Sequence, residues 1–522
     1  MSNKLIKSTI VVSVMTFFSR ILGYLRDAVI FIFISNTNGA LDAFFVAFRI
    51  PNFLRRVTAE GAFSTAFVPV FTEYKELQDK KETKNLIDNT LGTLSLSLLI
   101  ITAIGIFAAP LIIAIFAPGF YVEDDSRSIL AADLLQIIFP YIFFISLTAM
   151  AGSILNSYGK FAAFSFAPVF LNLSLIIATV FFARSLETPV KALAIGVFIG
   201  GIAQLLFQIP SLYKLGLVPR FKLNYKHEGV RRIFKLMLPA IFGSSIVQIN
   251  LLFDTLVASF LAIGSVSWLY ISDRFVELPL AIFGIAIATV LLPKLSSIHA
   301  KKDNKGFNET LNWAAKTSLL ISLPSMIGLI LLAEPLLVTL LQYREFSQFD
   351  TTMASMSLIA FSTGLPAFIF IKIFAPAFYS RQDTKTPVKA GVIAMIANIA
   401  MNILFVFLWF HFEWAGPHAG LALATSLSAY LNAGLLISYL LKGNFYSISP
   451  TLKKTTISIV IACIVMSVIV FYLTPGLDTW ATWAVGERIF NLLLLILLGA
   501  VSYFITLVAL KVKLKEFWLI KT

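Results

Sequence analysis

Apolar residues run through this chain in long blocks broken by short polar interruptions. A helical membrane crossing needs about 20 predominantly apolar residues, and blocks of at least that length lie near 9–34, 41–71, 90–117, 128–156, 162–184, 190–213, 233–262, 266–293, 314–341, 352–379, 387–410, 417–441, 454–474 and 488–510. The pattern predicts an all-α integral membrane protein with fourteen transmembrane helices. The first block is too long for a signal-peptide core, carries Arg20 and Arg26, and shows no small-residue cleavage site before the second block, so it reads as a retained helix.

Composition agrees. Of 522 residues 58% are hydrophobic and 13% charged, and the mean hydropathy is +0.88, which excludes a water-soluble or disordered chain. Fourteen crossings take roughly 280 residues, which leaves extensions and connections but no large soluble domain. The single cysteine, Cys463, excludes an internal disulfide and a cysteine-based metal site.

The 41 Lys and Arg against 27 Asp and Glu give a net charge of +14, and their positions orient the chain. With the N-terminus placed inside, about 29 cations fall in inside loops and tails and about 5 outside, the latter being Arg127, Arg184, Lys191, Arg344 and Arg488. That asymmetry fits an even number of crossings with both termini cytoplasmic. The remaining seven lie within crossings: Arg20, Arg26, Arg49, Arg55, Arg56, Arg274 and Lys372.

A weak internal repeat has an offset near 220 residues. Arg49-Ile50-Pro51 through Phe67-Val68-Pro69 has a counterpart in Asp273-Arg274-Phe275 through Leu291-Leu292-Pro293, and Asn156 to Lys160 has one in Ser380 to Asp383. Six crossings per copy keep both copies in one orientation, related by an axis along the membrane normal. The expected architecture is two pseudo-symmetric six-helix lobes around a central cavity, 1–220 and 221–445, with two additional C-terminal helices and a tail in 446–522.

An arginine held mid-membrane costs on the order of 2.5–3.5 kcal/mol on insertion scales, so several on neighbouring helices need a shared reason. Arg20 and Asp27 are seven apart, as are Arg49 and Arg56, while Arg55 follows Arg49 by six, spacings that gather heads toward one side of the first two crossings. Arg274 adds a cation from the second half, where Asp273 and Glu277 can hold it by local ion pairs. An arginine nearer a helix end can instead snorkel to the headgroups, a reading that fits Arg56 best. Guanidinium groups in a partly hydrated cavity suit phosphate or carboxylate, so the expected ligand is an anion, most simply a phosphate or pyrophosphate. Intramembrane acids are few: Asp27, Asp42, Glu60, Asp254, Asp273 and Glu277.

No Walker-type phosphate loop occurs, so ATP hydrolysis is not expected. Movement would follow a Na+ or H+ gradient, the membrane potential, or the ligand's own gradient; Asp254, in the middle of the seventh crossing, is the candidate for ion coupling or, equally, a polar contact between helices. No hydrolase, metal or nucleic-acid signature emerges. The basic stretch 214–235 lies between two crossings and reads as a loop facing lipid headgroups, not nucleic acid.

The runs Phe18-Ser19-Arg20-Ile21-Leu22-Gly23-Tyr24-Leu25-Arg26-Asp27, Asp42 through Asn52, Leu54-Arg55-Arg56 through Phe63, Ser267-Trp268 with Asp273-Arg274 and Glu277, and Phe378 through Pro387 strongly resemble the MurJ (MviN) lipid II flippases of the multidrug/oligosaccharidyl-lipid/polysaccharide exporter superfamily. The resemblance implies two lobes opening alternately and a last helix pair shaping a groove for a polyprenyl tail. The implied substrate is lipid II, moved from the inner to the outer leaflet of the bacterial inner membrane for peptidoglycan synthesis. The family's essential cavity arginines match Arg20, Arg26, Arg55 and Arg274, with Asp42, Asp273 and Glu277 as acidic partners. Arg49 stands where relatives often have Lys, and Asp254 would correspond to an acid in a sodium site of some relatives. The implied partners are lipid II, membrane lipids and cell-wall synthesis proteins, without cofactor or enzymatic activity. Two other readings stay open on the residues: a cation-coupled exporter of another substrate on the same architecture, and a non-transporting membrane scaffold for cell-wall synthesis.

Overall fold

The structure, a computed structural model, describes residues 3–36, 38–124, 126–513 and Phe517, without the side chains of 3–13, 58–61, 123–124, 242–247 and 285. The side chains of Lys4, Lys7 and Glu60, and the tail cations Lys515 and Lys521, lie outside the described residues. Every described element is helical. Eleven helical stretches among the described residues, from Lys80–Phe107 to Val485–Ala509, are long and apolar enough to cross a membrane.

The chain forms two compact units, Met1–Val266 and Ser267–Thr522. The sequence repeat divides it differently, at 220/221 and 445/446. The Glu228–Ser259 helix, which opens the second repeat, packs in the first unit against Arg55–Phe63 and Ser64–Leu77. Gly229 allows this approach, because a Cβ there would come within 2.6 Å of Leu86 Cδ1 and 3.0 Å of the Tyr74 hydroxyl, and Arg232 bonds Glu73 at 2.9 Å.

In the first unit the Asn3–Phe33 helix lies on Phe161–Phe166 and Pro168–Ile177, and Lys191–Leu215 lies on Tyr141–Ser157 and Pro168–Ile177. Small residues make the last contact close: a Cβ on Gly200 would stand 3.0 Å from the Leu171 Cα. Between membrane helices, which gain little from apolar burial alone, such backbone approach supplies the packing.

In the second unit Lys385–His411 packs on His418–Lys442, and Asn304–Leu331 on Leu365–Tyr379 and on Pro450–Leu473. The two C-terminal helices share a core with Asn304–Leu331, built on Leu320, Cys463, Met466, Leu492 and Leu495, and the Tyr503 hydroxyl donates to the Leu320 carbonyl at 2.8 Å.

The repeat is legible in where helices start and break. Asp79 caps Lys80–Phe107 by accepting from the Glu82 N–H (2.7 Å), and Asp303 caps Asn304–Leu331 by accepting from the Gly306 N–H (2.9 Å). Both helices begin about ten residues before their apolar blocks, because capped polar turns extend them beyond the lipid. Each breaks at its far end, at Ala108 and at Leu332, just ahead of Pro110 and Pro335, which lack the N–H that would continue the ladder. Helices carrying Pro51 and Pro279 pass into π-helical turns at Arg55–Phe63 and Leu280–Gly284, a local rewinding that often accompanies kinks and functional sites. The short turns after the fourth and tenth expected crossings turn on left-handed residues, Gly159 (φ 71) and Gln382 (φ 61).

One of the cations that the charge count assigns to an outer loop, Arg488, has a structural task. The Arg488 guanidinium donates to the carbonyls of Trp483 (3.0 Å) and Ala481 (2.5 Å), and at 3.4 and 3.5 Å to those of Val338 and Gln342. It thereby ties the Leu477–Thr482 turn to the end of Ala333–Leu340, beside the Trp480 indole bond to Thr339 (3.0 Å). Charged hydrogen bonds of this kind contribute about 1.5–3 kcal/mol. Arg488→Ala is expected to lower the melting temperature of the purified protein by several degrees, whereas Arg488→Lys recovers only part, since an ammonium lacks the planar fork that reaches carbonyls on two segments.

Candidate functional site

In the first unit the buried Arg26 is held on both sides. Its Nε and Nη2 donate to Asp27 Oδ1 at 2.9 and 2.6 Å, and Nη1 donates to Asn172 Oδ1 at 3.1 Å. The Asn172 amide in turn donates to the Ser19 carbonyl at 3.0 Å. Asp27, 2% exposed, thus pairs with its chain neighbour, while Arg20, its helical neighbour seven residues back, is exposed. Asn172 is a residue the sequence did not single out; a lone asparagine in an apolar helix facing a buried arginine is the signal that could have marked it.

Arg49 is half-buried and donates through Nη1 to the Thr255 hydroxyl, so its head reaches the residue next to Asp254, itself half-buried. Arg55 opens the π-helical segment and bonds Asn52 Oδ1 at 3.1 Å, while Arg56 beside it is exposed. The Arg55 N–H still bonds the Pro51 carbonyl in α-helical fashion, and the π winding begins with these two residues.

Asp42 is fully buried. Its Oδ2 accepts from the Gly264 N–H at 2.6 Å and stands 3.9 Å from Arg127 Nη1. Asn36 Oδ1 accepts from the Leu41 N–H at 2.9 Å and so finishes the start of the Ala40–Leu54 helix. Arg127, assigned to an outer loop, is 7% exposed; it lies over the Phe120 ring at 4.5 Å and presses on Gly39, where a Cβ would come 2.4 Å from its Cδ. Gly119, where a Cβ would stand 2.3 Å from the Ser259 carbonyl carbon, donates to the Ser259 hydroxyl at 3.0 Å. Asp42 and Ser259 together fasten the far end of Glu228–Ser259 to the first unit.

In the second unit Arg274 is bracketed by its own helix: Nη1 is 2.7 Å from Glu277 Oε2, Nη2 donates to the Tyr270 hydroxyl at 3.1 Å, and the guanidinium carbon lies 5.0 Å from the Tyr270 ring centre. This arrangement keeps the charge while leaving the side chain 27% exposed. Asp273 is half-buried. Farther along, Asn402 donates to Asn398 Oδ1 and Asn398 to the Thr425 hydroxyl, both at 3.3 Å, a neutral polar cluster buried in the helices that sequence reading passed over. Among the described residues no group of three His, Cys, Asp or Glu is placed to hold a metal ion.

The family model described as "Lipid II flippase MurJ" matches residues 36–494. The chain belongs to the lipid II flippase MurJ family. A probable lipid II flippase MurJ of Vibrio cholerae serotype O1 is 45% identical over 99% of this chain and 98% of its own length. A lipid II flippase MurJ of Burkholderia cenocepacia is 39% identical, covering 91% of each chain. Among solved structures, a lipid II flippase MurJ in an inward closed conformation superposes with a TM-score of 0.78 at 32% identity over 95% of this chain and 98% of its own. An inward-facing multidrug transporter of the MATE family, with a TM-score of 0.64 at 16% identity over 81% of this chain and 96% of its own, shares the fold.

The MurJ-like run Phe378 to Pro387 turns out to be built around a helix start. Asp383 accepts from the Thr386 N–H (3.0 Å) and the Thr386 hydroxyl (2.6 Å), and Arg381 lies over the Phe445 ring. The Thr386 hydroxyl bond, with backbone donors, holds the Asp383 carboxyl below its usual range. A depressed folded-state value contributes stability above the unfolded pKa that is lost as pH falls through the folded one. Thr386→Val is therefore expected to melt earlier than the parent near neutral pH, with the difference shrinking in scans taken progressively below the ordinary aspartate range.

Proposed function

We propose that the protein is a flippase that moves lipid II, the undecaprenyl-pyrophosphate-linked peptidoglycan precursor, from the inner to the outer leaflet of the bacterial inner membrane. Membership of the MurJ family over residues 36–494 is the observation that carries this reading. Three helical stretches, Asn3–Phe33, Ala40–Leu77 with its π turn, and Glu228–Ser259, join the eleven apolar spans to give fourteen crossings, with both termini cytoplasmic. They would form two six-helix lobes and a C-terminal pair whose outer faces accommodate the lipid tail.

The work is transport, not covalent chemistry. The pyrophosphate is the anion for Arg20, Arg26, Arg49, Arg55 and Arg274, because guanidinium keeps its charge in a low-dielectric, partly hydrated site and offers paired donors to phosphate oxygens. Asp27 and Glu277 fix two of these heads in advance, which reduces the ordering cost on binding. Binding drives alternation only if the anion stabilises the closing state more than the resting one. Asp254, next to the Thr255 that Arg49 grips, is the group through which a proton or sodium ion, or the membrane potential, would couple to that change. Cell-wall synthesis proteins on the outer face would take up the product.

The test is complementation. A bacterium depleted of its own family member should resume growth on expressing the wild-type chain but not an equally abundant Arg55→Ala chain; full rescue by Arg55→Ala would remove the proposed role of that arginine.

A further inference from the structure

The connection between Lys191–Leu215 and Glu228–Ser259 is not a slack loop. Residues 217–224, without regular secondary structure, pass along the start of Lys80–Phe107, held by one carboxylate. Asp88, 2% exposed, accepts from the Arg220 N–H at 2.8 Å, stands 3.6 Å from Lys222 Nζ and also takes Lys84. Lys222 Nζ donates to Asn85 Oδ1 at 3.2 Å. Gly92 lets the backbones touch, since a Cβ there would meet the Lys222 carbonyl oxygen at 2.0 Å.

Lys222 reaches Asp88 while its side chain stays 53% exposed, and Phe221, Leu223 and Tyr225 beside it are 61, 51 and 62% exposed. The strap crosses Lys80–Phe107 at residues 85–92, where that helix changes from charged (Lys80, Lys81, Glu82, Lys84, Asp88) to uncharged from Asn89 to Phe107. Leu96, Leu99, Ile100 and Ile104 beyond that border are exposed, as lipid-facing residues would be. The border therefore marks interfacial depth, and the exposed Phe221, Leu223 and Tyr225 lie at the level of the headgroups. Around it, segment 214–235 carries seven cations and one carboxylate, Glu228, with Lys214, Arg220 and Lys226 exposed.

We propose that residues 214–226 form a binding site for anionic phospholipid of the cytoplasmic leaflet, with Phe221, Leu223 and Tyr225 entering the interface and Lys214, Arg220 and Lys226 meeting the headgroup phosphate. Apolar insertion beside a cluster of cations is the combination that selects an anionic membrane surface over a neutral one. The strap leads directly into Glu228–Ser259, so a bound lipid fixes the pose of that helix against Ser64–Leu77. The inference rests on the membrane orientation given above and not on the identity of the substrate.

The test labels Leu223→Cys with an environment-sensitive fluorophore in the detergent-solubilised full chain, the native Cys463 being buried. Titration with dihexanoyl phosphatidylglycerol should give a saturable blue shift that dihexanoyl phosphatidylcholine does not. Each neutralised cation is expected to weaken the phosphatidylglycerol response about fivefold, so Lys214→Gln, Arg220→Gln and Lys226→Gln combined should weaken it on the order of a hundredfold at unchanged elution volume and melting temperature. Equal responses to the two lipids would overturn the proposal. So would an equal shift produced by inorganic pyrophosphate, or a response untouched by the triple substitution. None of these readouts requires lipid II.

Discussion

Arg26→Ala should abolish lipid II translocation and destabilise the protein by about 3–5 kcal/mol, the range for removing one partner of a buried ion pair. The geometry explains both effects. Asp27 is almost without solvent contact and takes two of the guanidinium's donors, while the third reaches across to Asn172 on the Pro168–Ile177 helix. Truncation leaves a carboxylate in the helix pair with its strongest partner removed. Arg26→Lys keeps the charge but loses the fork, so it should fold better than the alanine variant and still transport poorly. Stability and function can be separated by Arg26→Met with Asp27→Leu. Exchanging a whole buried pair for apolar side chains of similar size is often neutral or stabilising, so the double variant should melt near the parent and yet fail to complement depleted cells. Complementation by that variant would mean the pair serves folding alone.

Asp42→Ala should be the second severe change, with a loss of about 3 kcal/mol from a charged hydrogen bond whose donor stays buried and with transport reduced at least tenfold. Asp42 receives the Gly264 N–H at the far end of Glu228–Ser259 and faces Arg127, so removing it frees that end and leaves a nearly buried guanidinium without this carboxylate. Asp42→Asn retains an acceptor for Gly264 and should recover most of the melting temperature but less of the transport, because Arg127 then loses the Asp42 charge. Thermal melts in detergent, read beside complementation, check the pair of variants; indistinguishable melts for Asp42→Ala and the parent would show that the contact carries little.

The helices were legible in the sequence because apolar block length is nearly sufficient to specify a membrane helix; the breaks near Pro51, Pro279, Pro110 and Pro335, now seen as π turns and kinks, emerge only in the structure. Helix caps at Asp79 and Asp303, and left-handed turns at Gly159 and Gln382, recur at an offset close to the one read between Asn156–Lys160 and Ser380–Asp383. Pairings were harder to read. Helical spacing placed Asp27 beside Arg20, but an arginine is long enough to fold onto its chain neighbour, and Arg26 does. Arg127 counted as an outer-loop cation because hydropathy sees position along the chain and not the depth to which a side chain turns back. Asn172, Asp88 and the Asn398–Asn402–Thr425 cluster carry no periodic signal at all; they matter through partners more than a hundred residues away or one helix over. The packing of Glu228–Ser259 in the first unit likewise depends on Gly229, where a missing side chain admits the Leu86 and Tyr74 side chains, and on Gly119, where it admits the Ser259 backbone, a property no composition profile records.

In the proposed mechanism arginines grip the diphosphate of lipid II while it crosses the bilayer. The direct measurement is the fraction of lipid II reachable by an outer-face probe in cells depleted of their own flippase and supplied with wild-type, Arg274→Ala or Arg274→Lys protein at matched membrane abundance. Wild type should restore outer-leaflet lipid II, the lysine variant should restore part of it, and the alanine variant should leave the precursor on the inner leaflet. Outer-leaflet lipid II at the wild-type level in Arg274→Ala cells would contradict the account.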